Sequence, residues 1–235
     1  MPRILALDTA TDACSVALQD GERTLHRFEL AAQSHTRRLL PLVDELLAEA
    51  GWTLSTLDAL AYGRGPGSFT GLRIGLGTVQ GLAFAQDIPV IGVSTLEAMA
   101  VGYWAQWPEH SSYPVLTALD ARMQEVYWCL FSPSEGRPVP CVEERVAAPA
   151  QVAEWPEVCR LESPWAGVGA GWHYPELRAL SPTWQRDDVY PEARWMLPSA
   201  VAAWERGEAV AAEQAQPVYL RDTISWKKRE RIRRR

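Results

Sequence analysis

The chain has 235 residues, 47% hydrophobic and 22% charged, the balance of a protein that folds around a sizeable core as one large domain or two small lobes. The formal charge of −6 is uneven: seven cations against Glu230 give residues 227–235 a net +6, which leaves −12 on the first 226, an acidic body that repels a nucleic-acid backbone. Lys227 and Lys228 are the only lysines, so the body has none for a Walker A loop, a Schiff base or a kinase strand.

In chain order, residues 3–8 (RILALD) and 14–20 (CSVALQD) read as strands around the polar turn 9–12, and 24–30 follow a Asp20-Gly21 hairpin signal. Apolar residues at 39, 40, 42, 43, 46, 47 and 50 predict a helix over 36–50. A strand over 57–63, a helix over 70–86, a strand over 89–94 and a helix from Thr95 complete the first half. Three antiparallel strands extended by strand-helix crossovers predict an α/β fold of mixed sheets with helices on their faces, the ribonuclease-H-like arrangement. The second half opens alike, with VLTALD at 115–120 and EVYWCLF at 125–131, which suggests a duplicated lobe. Beyond Pro133 the copy decays into a stretch rich in proline and tryptophan, with one late helix over 198–207. The tryptophans read as core and inter-lobe packing, because the segment is acidic and lacks interleaved arginine clusters. The expected organisation is a first lobe over 1–104 that binds a partner, a degenerate second lobe over 105–194, a segment over 195–226 that packs back on the first lobe, and the basic tail over 227–235.

The first apolar run stops at Asp8 and none reaches the ~18 residues of a membrane span, so a cytoplasmic location without membrane contact is expected. Cys14, Cys129, Cys141 and Cys159 lack CxxC spacing, and His26, His35, His110 and His173 lack HxxxH spacing, so neither a metal nor a resident cofactor is expected.

The loop GRGPGSFTG over 63–71 joins a strand to a helix and resembles a phosphate cradle, but it fails the Walker A, GxGxxG and GxSxG patterns; it reads as a tight turn with Ser68 or Thr70 capping the helix. The helix that follows holds Gly71, Gly75, Gly77 and Gly81, each costing about 1 kcal/mol relative to alanine. Leu72, Leu76, Val79 and Ala83 fall on one side, and Ile74, Leu82, Ala85 and three of the glycines on the other, so burial on two sides is expected. The helix before it carries an apolar arc of about 160°, wider than one sheet face requires. Surplus apolar surface on two adjacent helices points either to a docked partner, through Leu39, Leu40, Val43, Leu47, Leu72, Ile74, Gly75, Leu76 and Val79, or to cover by the chain's own C-terminal segment. A weaker candidate is the turn with Asp8, Thr9 and Thr11, placed for phosphate or magnesium contacts with Asp120 opposite; Asx and Ser/Thr turns use the same residues structurally.

The blocks ILALDTATDACSVAL (4–18), SHTRRLLPLVDELL (34–47) and GRGPGSFTGLRIGLGTVQGLA (63–83), with GVSTLEAMA (92–100), LDARMQEVYW (119–128) and PVYLRD (217–222), resemble the bacterial tRNA threonylcarbamoyladenosine biosynthesis proteins known as TsaB or YeaZ. The resemblance covers most of the first hundred residues and is loose from about 132 to 216. It implies a two-lobed member of the actin, sugar kinase and Hsp70 superfamily that lacks the metal-binding histidine pair of the catalytic subunit TsaD. It further implies a non-catalytic subunit that pairs with TsaD through the two first-lobe helices, with the ATPase TsaE joining and tRNA reached only through the complex. TsaD then transfers threonylcarbamoyl to the adenosine beside the anticodon, and an isolated subunit forms homodimers through the same helices. Two alternatives stay open: an ATP-dependent phosphotransferase or ATPase using Asp8, Thr11 and Asp120, and a glycoprotease-like metallopeptidase. The basic tail reads as a solvated end, with a salt-sensitive tRNA contact as its alternative.

Overall fold

In the computed structural model, which describes residues 1–21 and 23–221, β1 (Ile4–Asp8) is buried along its whole length because it is the central strand of a five-stranded sheet. β2 (Ala13–Asp20) pairs with it antiparallel, Leu7 opposite Val16, and β3 (Arg23–Leu30) carries the meander to the sheet edge, where its side chains alternate between half-buried and exposed. The helix α1 (His35–Ala50) ends at Gly51, whose positive φ of 69° closes the last turn. β4 (Ala59–Gly65) then lies parallel to β1, and after α2 (Phe69–Gln86) β5 (Val90–Ser94) lies parallel to β4, giving the order β3-β2-β1-β4-β5. Both helices cover one face of this sheet, packing on Leu5, Leu7, Val16 and Leu60.

From the Ser94 cap runs α3 (Thr95–Gln106), buried on nearly every side because it lies between two sheets. Ala98 joins the core of the first sheet's second face, whereas Leu96, Met99 and Tyr103 pack on the second sheet. That sheet is built from β6 (Val115–Asp120), β7 (Val126–Ser134), β8 (Arg137–Pro140), β9 (Arg145–Ala147), β10 (Ala166–Val168) and β11 (Trp184–Arg186), with short helices α4 (Pro149–Ala153), α5 (Pro156–Cys159) and α6 (Pro175–Arg178) on its outer face. Its main path, β8-β7-β6-β10-β11, has an antiparallel meander followed by two parallel strands, the topology of the first sheet. The fold is thus a two-sheet α/β arrangement of ribonuclease-H-like type. Trp128 and Trp172 are wholly buried on the outer face of the second sheet, and the Trp172 indole N–H donates to the Leu116 carbonyl at 3.1 Å, so these tryptophans serve packing.

The late helix differs from expectation. Instead of starting at Pro198, α7 (Ala193–Glu205) starts five residues earlier, because Ala193 and Met196 are already wholly buried and the Ala193 N–H donates to the Ser15 hydroxyl at 2.9 Å. Pro198 sits one turn in, where it lacks the N–H that would reach back to the carbonyl of Arg194. Met196, Leu197 and Ala200 of α7 pack on Ala6, Ala17 and Ala61, the face of the first sheet that α1 and α2 leave free. The basic tail, 227–235, lies outside the described residues.

Candidate partner-docking site

The inner face of α2 explains much of its glycine content. Ser68 caps the helix, its hydroxyl accepting from the Gly71 N–H at 3.3 Å, while the Ser68 N–H donates to the Ala10 carbonyl at 2.7 Å. The turn 8–12 therefore lies directly against the start of α2. Thr9 donates its hydroxyl to the Gly71 carbonyl at 2.8 Å, and a Cβ on Gly75 would stand 2.7 Å from the same hydroxyl oxygen. Leu72, Leu76, Val79 and Ala83 complete the inner face in the core. The glycine-rich block is thus a close-packed strand-turn-helix joint, and two of the amides that could have cradled a phosphate are already satisfied within the chain.

The outer face is different. Gly77 and Gly81 are exposed, and a Cβ at either would meet nothing within 4 Å, so among the described residues no contact offsets the roughly 1 kcal/mol that each costs in a helix. At 100° per residue Gly77 lies in the middle of a face that also holds Phe69, Ile74, Gly81, Phe84 and Ala85. Phe69 is 53% exposed, and Phe84, 83% exposed, borders a depression of about 400 Å³ that it shares with Ile88 and Val210. Among the described residues the C-terminal segment covers one flank: Gln80 donates to the carbonyls of Ala212 and Ala215 at 3.1 and 3.3 Å, and Tyr219 lies over Phe69 with ring centroids 5.5 Å apart. The rest of that face carries Phe84 and the two exposed glycines, with the exposed Thr70 and Arg73 toward the Phe69 end.

Of the nine side chains expected at a partner surface, seven are occupied elsewhere. Leu39, Val43, Leu47, Leu72, Gly75, Leu76 and Val79 are buried in the chain's own core, Ile74 is half-buried, and Leu40 is exposed. The first sheet accepts the wide apolar arc of α1 except at its edge, where Leu40 is the large apolar side chain that this helix exposes. Full burial of α2 is on one side, with Ile74 and Leu82 half-buried against the same core, and the apolar and glycine residues it exposes include Phe69, Gly77, Gly81 and Phe84, which the sequence did not single out as a surface. Two glycines four apart with phenylalanines on the same face were the signal available.

The turn at the end of β1 buries Asp8 and Thr9 and leaves Thr11 and Asp12 at the surface. The Asp8 carboxylate accepts from the Ala10 N–H at 3.1 Å, and its other oxygen is buried with no partner, against the backbone of Gly63. Burial raises the Asp8 carboxyl to about 7, partly offset by the Ala10 N–H. Thr11 accepts from the Ala13 N–H at 3.2 Å, as an ordinary turn residue does. A cleft of about 500 Å³ opens between the sheets, lined by Thr11, Asp12, Ser68, Phe69, Asp120 and Arg221 among others, so Thr11 and Asp120 share its wall, whereas Asp8 and Thr9 are not in it. Asp120 in that wall is held by Arg122 at 3.1 Å. Among the described residues no three His, Cys, Asp or Glu side chains converge on a point, and no helix is long and apolar enough to cross a membrane.

A family model described as TsaD: tRNA N6-adenosine threonylcarbamoyltransferase matches residues 28–168. The tRNA threonylcarbamoyladenosine biosynthesis protein TsaB of Escherichia coli K12 is 47% identical over 231 residues, 96% of this chain and 97% of its own length. The protein of the same name from Haemophilus influenzae is 42% identical, covering 96% of each chain. A solved structure of YeaZ from Pseudomonas aeruginosa is 45% identical and superposes with a TM-score of 0.85 over 94% of this chain and 100% of that one. With that identity along nearly its full length and that fold, the chain belongs to the TsaB (YeaZ) family of tRNA threonylcarbamoyladenosine biosynthesis proteins.

Proposed function

We propose that the chain is a non-catalytic subunit of the tRNA threonylcarbamoyladenosine-forming complex, and that it binds a TsaD-like catalytic subunit through the outer face of α2. The observation that carries this reading is the pair Gly77 and Gly81: exposed glycines inside a helix weaken the isolated chain by about 2 kcal/mol together, and a second helix lying close against them is what their absent side chains permit. Phe69 and Phe84 bracket the strip as apolar anchors, the kind of residue that dominates a binding surface. The buried Asp8, the Arg122-paired Asp120 and the lysine-free body favour a subunit that supports chemistry performed by its partner.

In this reading a TsaE-like ATPase joins the assembled pair, tRNA is met through the complex, and the chain works in the cytoplasm, where tRNA is modified. The isolated chain pairs with a second copy through the same strip. Co-purification with the TsaD-like subunit tests the reading: Gly81→Leu blocks close approach and is expected to abolish the complex, while an equally exposed change on the second sheet, Val139→Leu, leaves it intact. Retention of the complex by Gly81→Leu would remove α2 as the contact.

A further inference from the structure

The segment 216–221, which contains most of the PVYLRD block, runs from one lobe to the other. The Tyr62 hydroxyl donates to the Gln216 carbonyl at 3.1 Å and accepts from the Gln216 N–H at 3.2 Å. The Val218 N–H donates to the Arg64 carbonyl at 2.7 Å, and a Cβ on Gly65 would stand 2.8 Å from the Val218 carbonyl oxygen, so β4 is shaped to receive this strand of chain. Tyr219 then lies on Phe69 and takes a hydrogen bond from Arg73 Nε at 3.2 Å, while the Arg73 guanidinium sits 3.8 Å above the Phe69 ring. Two residues later the chain has crossed to the second lobe. There the Arg221 guanidinium donates to the Ala121 carbonyl at 3.1 Å and pairs with the Glu125 carboxylate.

What Arg221 grips is unusual. Arg122, Met123 and Gln124 have φ of 61°, 57° and 62°, three consecutive non-glycine residues in the left-handed region, each costing about 1–2 kcal/mol. Internal bonds hold the turn: the Ala121 N–H donates to the Glu125 carbonyl at 2.9 Å, and the Arg122 N–H to Asp120 at 2.8 Å. Arg221 adds a bridge across the two ends of the same turn. Through the single nitrogen Nη2 it satisfies the Ala121 carbonyl and neutralises Glu125 at once, a charge-assisted pairing at both ends of the turn. The turn exposes Arg122 and Met123, lines the inter-lobe cleft with them, and shares that cleft with Phe69.

We propose that residues 216–221 are an inter-lobe clasp: Arg221 holds the strained turn 121–125, and Tyr219 lies at the edge of the TsaD-like subunit's footprint on α2. Docking on the first lobe therefore stiffens a turn on the second. The coupling half rests on the proposed docking of α2; the holding of the turn by Arg221 does not.

Amide hydrogen exchange on the full chain, free and bound to the TsaD-like subunit, tests both halves. In the free chain Arg221→Gln is expected to speed exchange at the Ala121 and Glu125 amides about tenfold or more, with Arg221→Lys intermediate and the β6 amides unmoved. Unchanged exchange at those two amides in Arg221→Gln would overturn the clasp. In the complex, the wild-type chain is expected to gain protection at α2 and at 121–125, whereas Arg221→Gln gains it at α2 alone. Protection at α2 with none at 121–125 in the wild type would overturn the coupling, and protection at neither would overturn the docking reading, leaving the clasp to the free-chain comparison. Retained slow exchange in β6 shows that each variant has folded.

Discussion

Thr9 Oγ1 lies 2.7 Å from the point that a Cβ on Gly75 would occupy, and four residues earlier the same hydroxyl is bonded to the Gly71 carbonyl. The hydroxyl therefore fills the space that the Gly75 side chain would need. The first two glycines of α2 belong to the fold, and the last two, Gly77 and Gly81, have no such occupant among the described residues.

The glycines should accordingly respond in opposite directions to alanine. Gly75→Ala is expected to destabilise the isolated chain by about 1–3 kcal/mol through overpacking against Thr9. Gly77→Ala and Gly81→Ala should each stabilise it by about 0.5–1 kcal/mol, since the added methyl meets nothing and the helix gains propensity. Urea unfolding of the three variants at equal protein concentration, low enough to keep the chain monomeric, gives the comparison. A stabilising Gly75→Ala would refute the close packing at Thr9.

Asp8 should make the chain less stable as pH rises. Its carboxyl titrates at about 7 in the folded chain against 3.8 for the ordinary group, so between those values the folded state holds a proton that the unfolded state has released. Stability therefore falls from about pH 4 to pH 7 and the loss is complete above it, on the order of 4 kcal/mol at most. Asp8→Asn keeps an oxygen for the Ala10 N–H and removes the titration, so the variant should gain on the wild type across that window and run parallel to it below pH 4. Urea midpoints from pH 4 to pH 8 for both proteins measure the difference. Parallel curves throughout would show that Asp8 is ionised in the fold.

ATP hydrolysis by this chain alone is not expected. Of the carboxylates that the phosphotransferase reading uses, Asp8 is 1% exposed and outside the cleft wall, and Asp120 in that wall is paired with Arg122 at 3.1 Å. Purified protein with ATP and magnesium should release phosphate no faster than buffer, with Asp8→Ala indistinguishable from the wild type. Hydrolysis that Asp8→Ala abolishes would favour the phosphotransferase reading, and chelator-sensitive cleavage of a protein substrate would favour the peptidase.

The first sheet was legible element by element, with ends within two residues, because its strands alternate or run apolar over five or more positions and its first helix carries a clear 3.6 period. The Ser68 cap was readable from local chemistry alone. The second sheet faded where its strands shorten: β9, β10 and β11 have three residues each, too few for a period of two to register. α7 was misplaced because Pro198 reads as a helix start, whereas long-range packing of Ala193 and Met196 starts the helix earlier. The candidate site was legible as a region and not as a set of residues. Periodicity divides α2 into two apolar sides, but which side the sheet takes depends on the turn 8–12 reaching Gly71 and Gly75, contacts 62 or more positions apart in sequence. The clasp had no local signature, since the positive φ values at 122–124 fall on residue types that do not advertise them.

The most direct test is the affinity of this chain for the TsaD-like subunit, measured by titration calorimetry for the wild type, Phe84→Asp, Gly81→Leu and the distant control Val139→Asp. Phe84 and Val139 are both exposed, so neither change disturbs the core. Placing a charge or a bulky side chain on the α2 strip should weaken binding by about a hundredfold or more, roughly 2.7 kcal/mol, while the control binds as the wild type does. Wild-type affinity in both α2 variants would contradict the account at its centre.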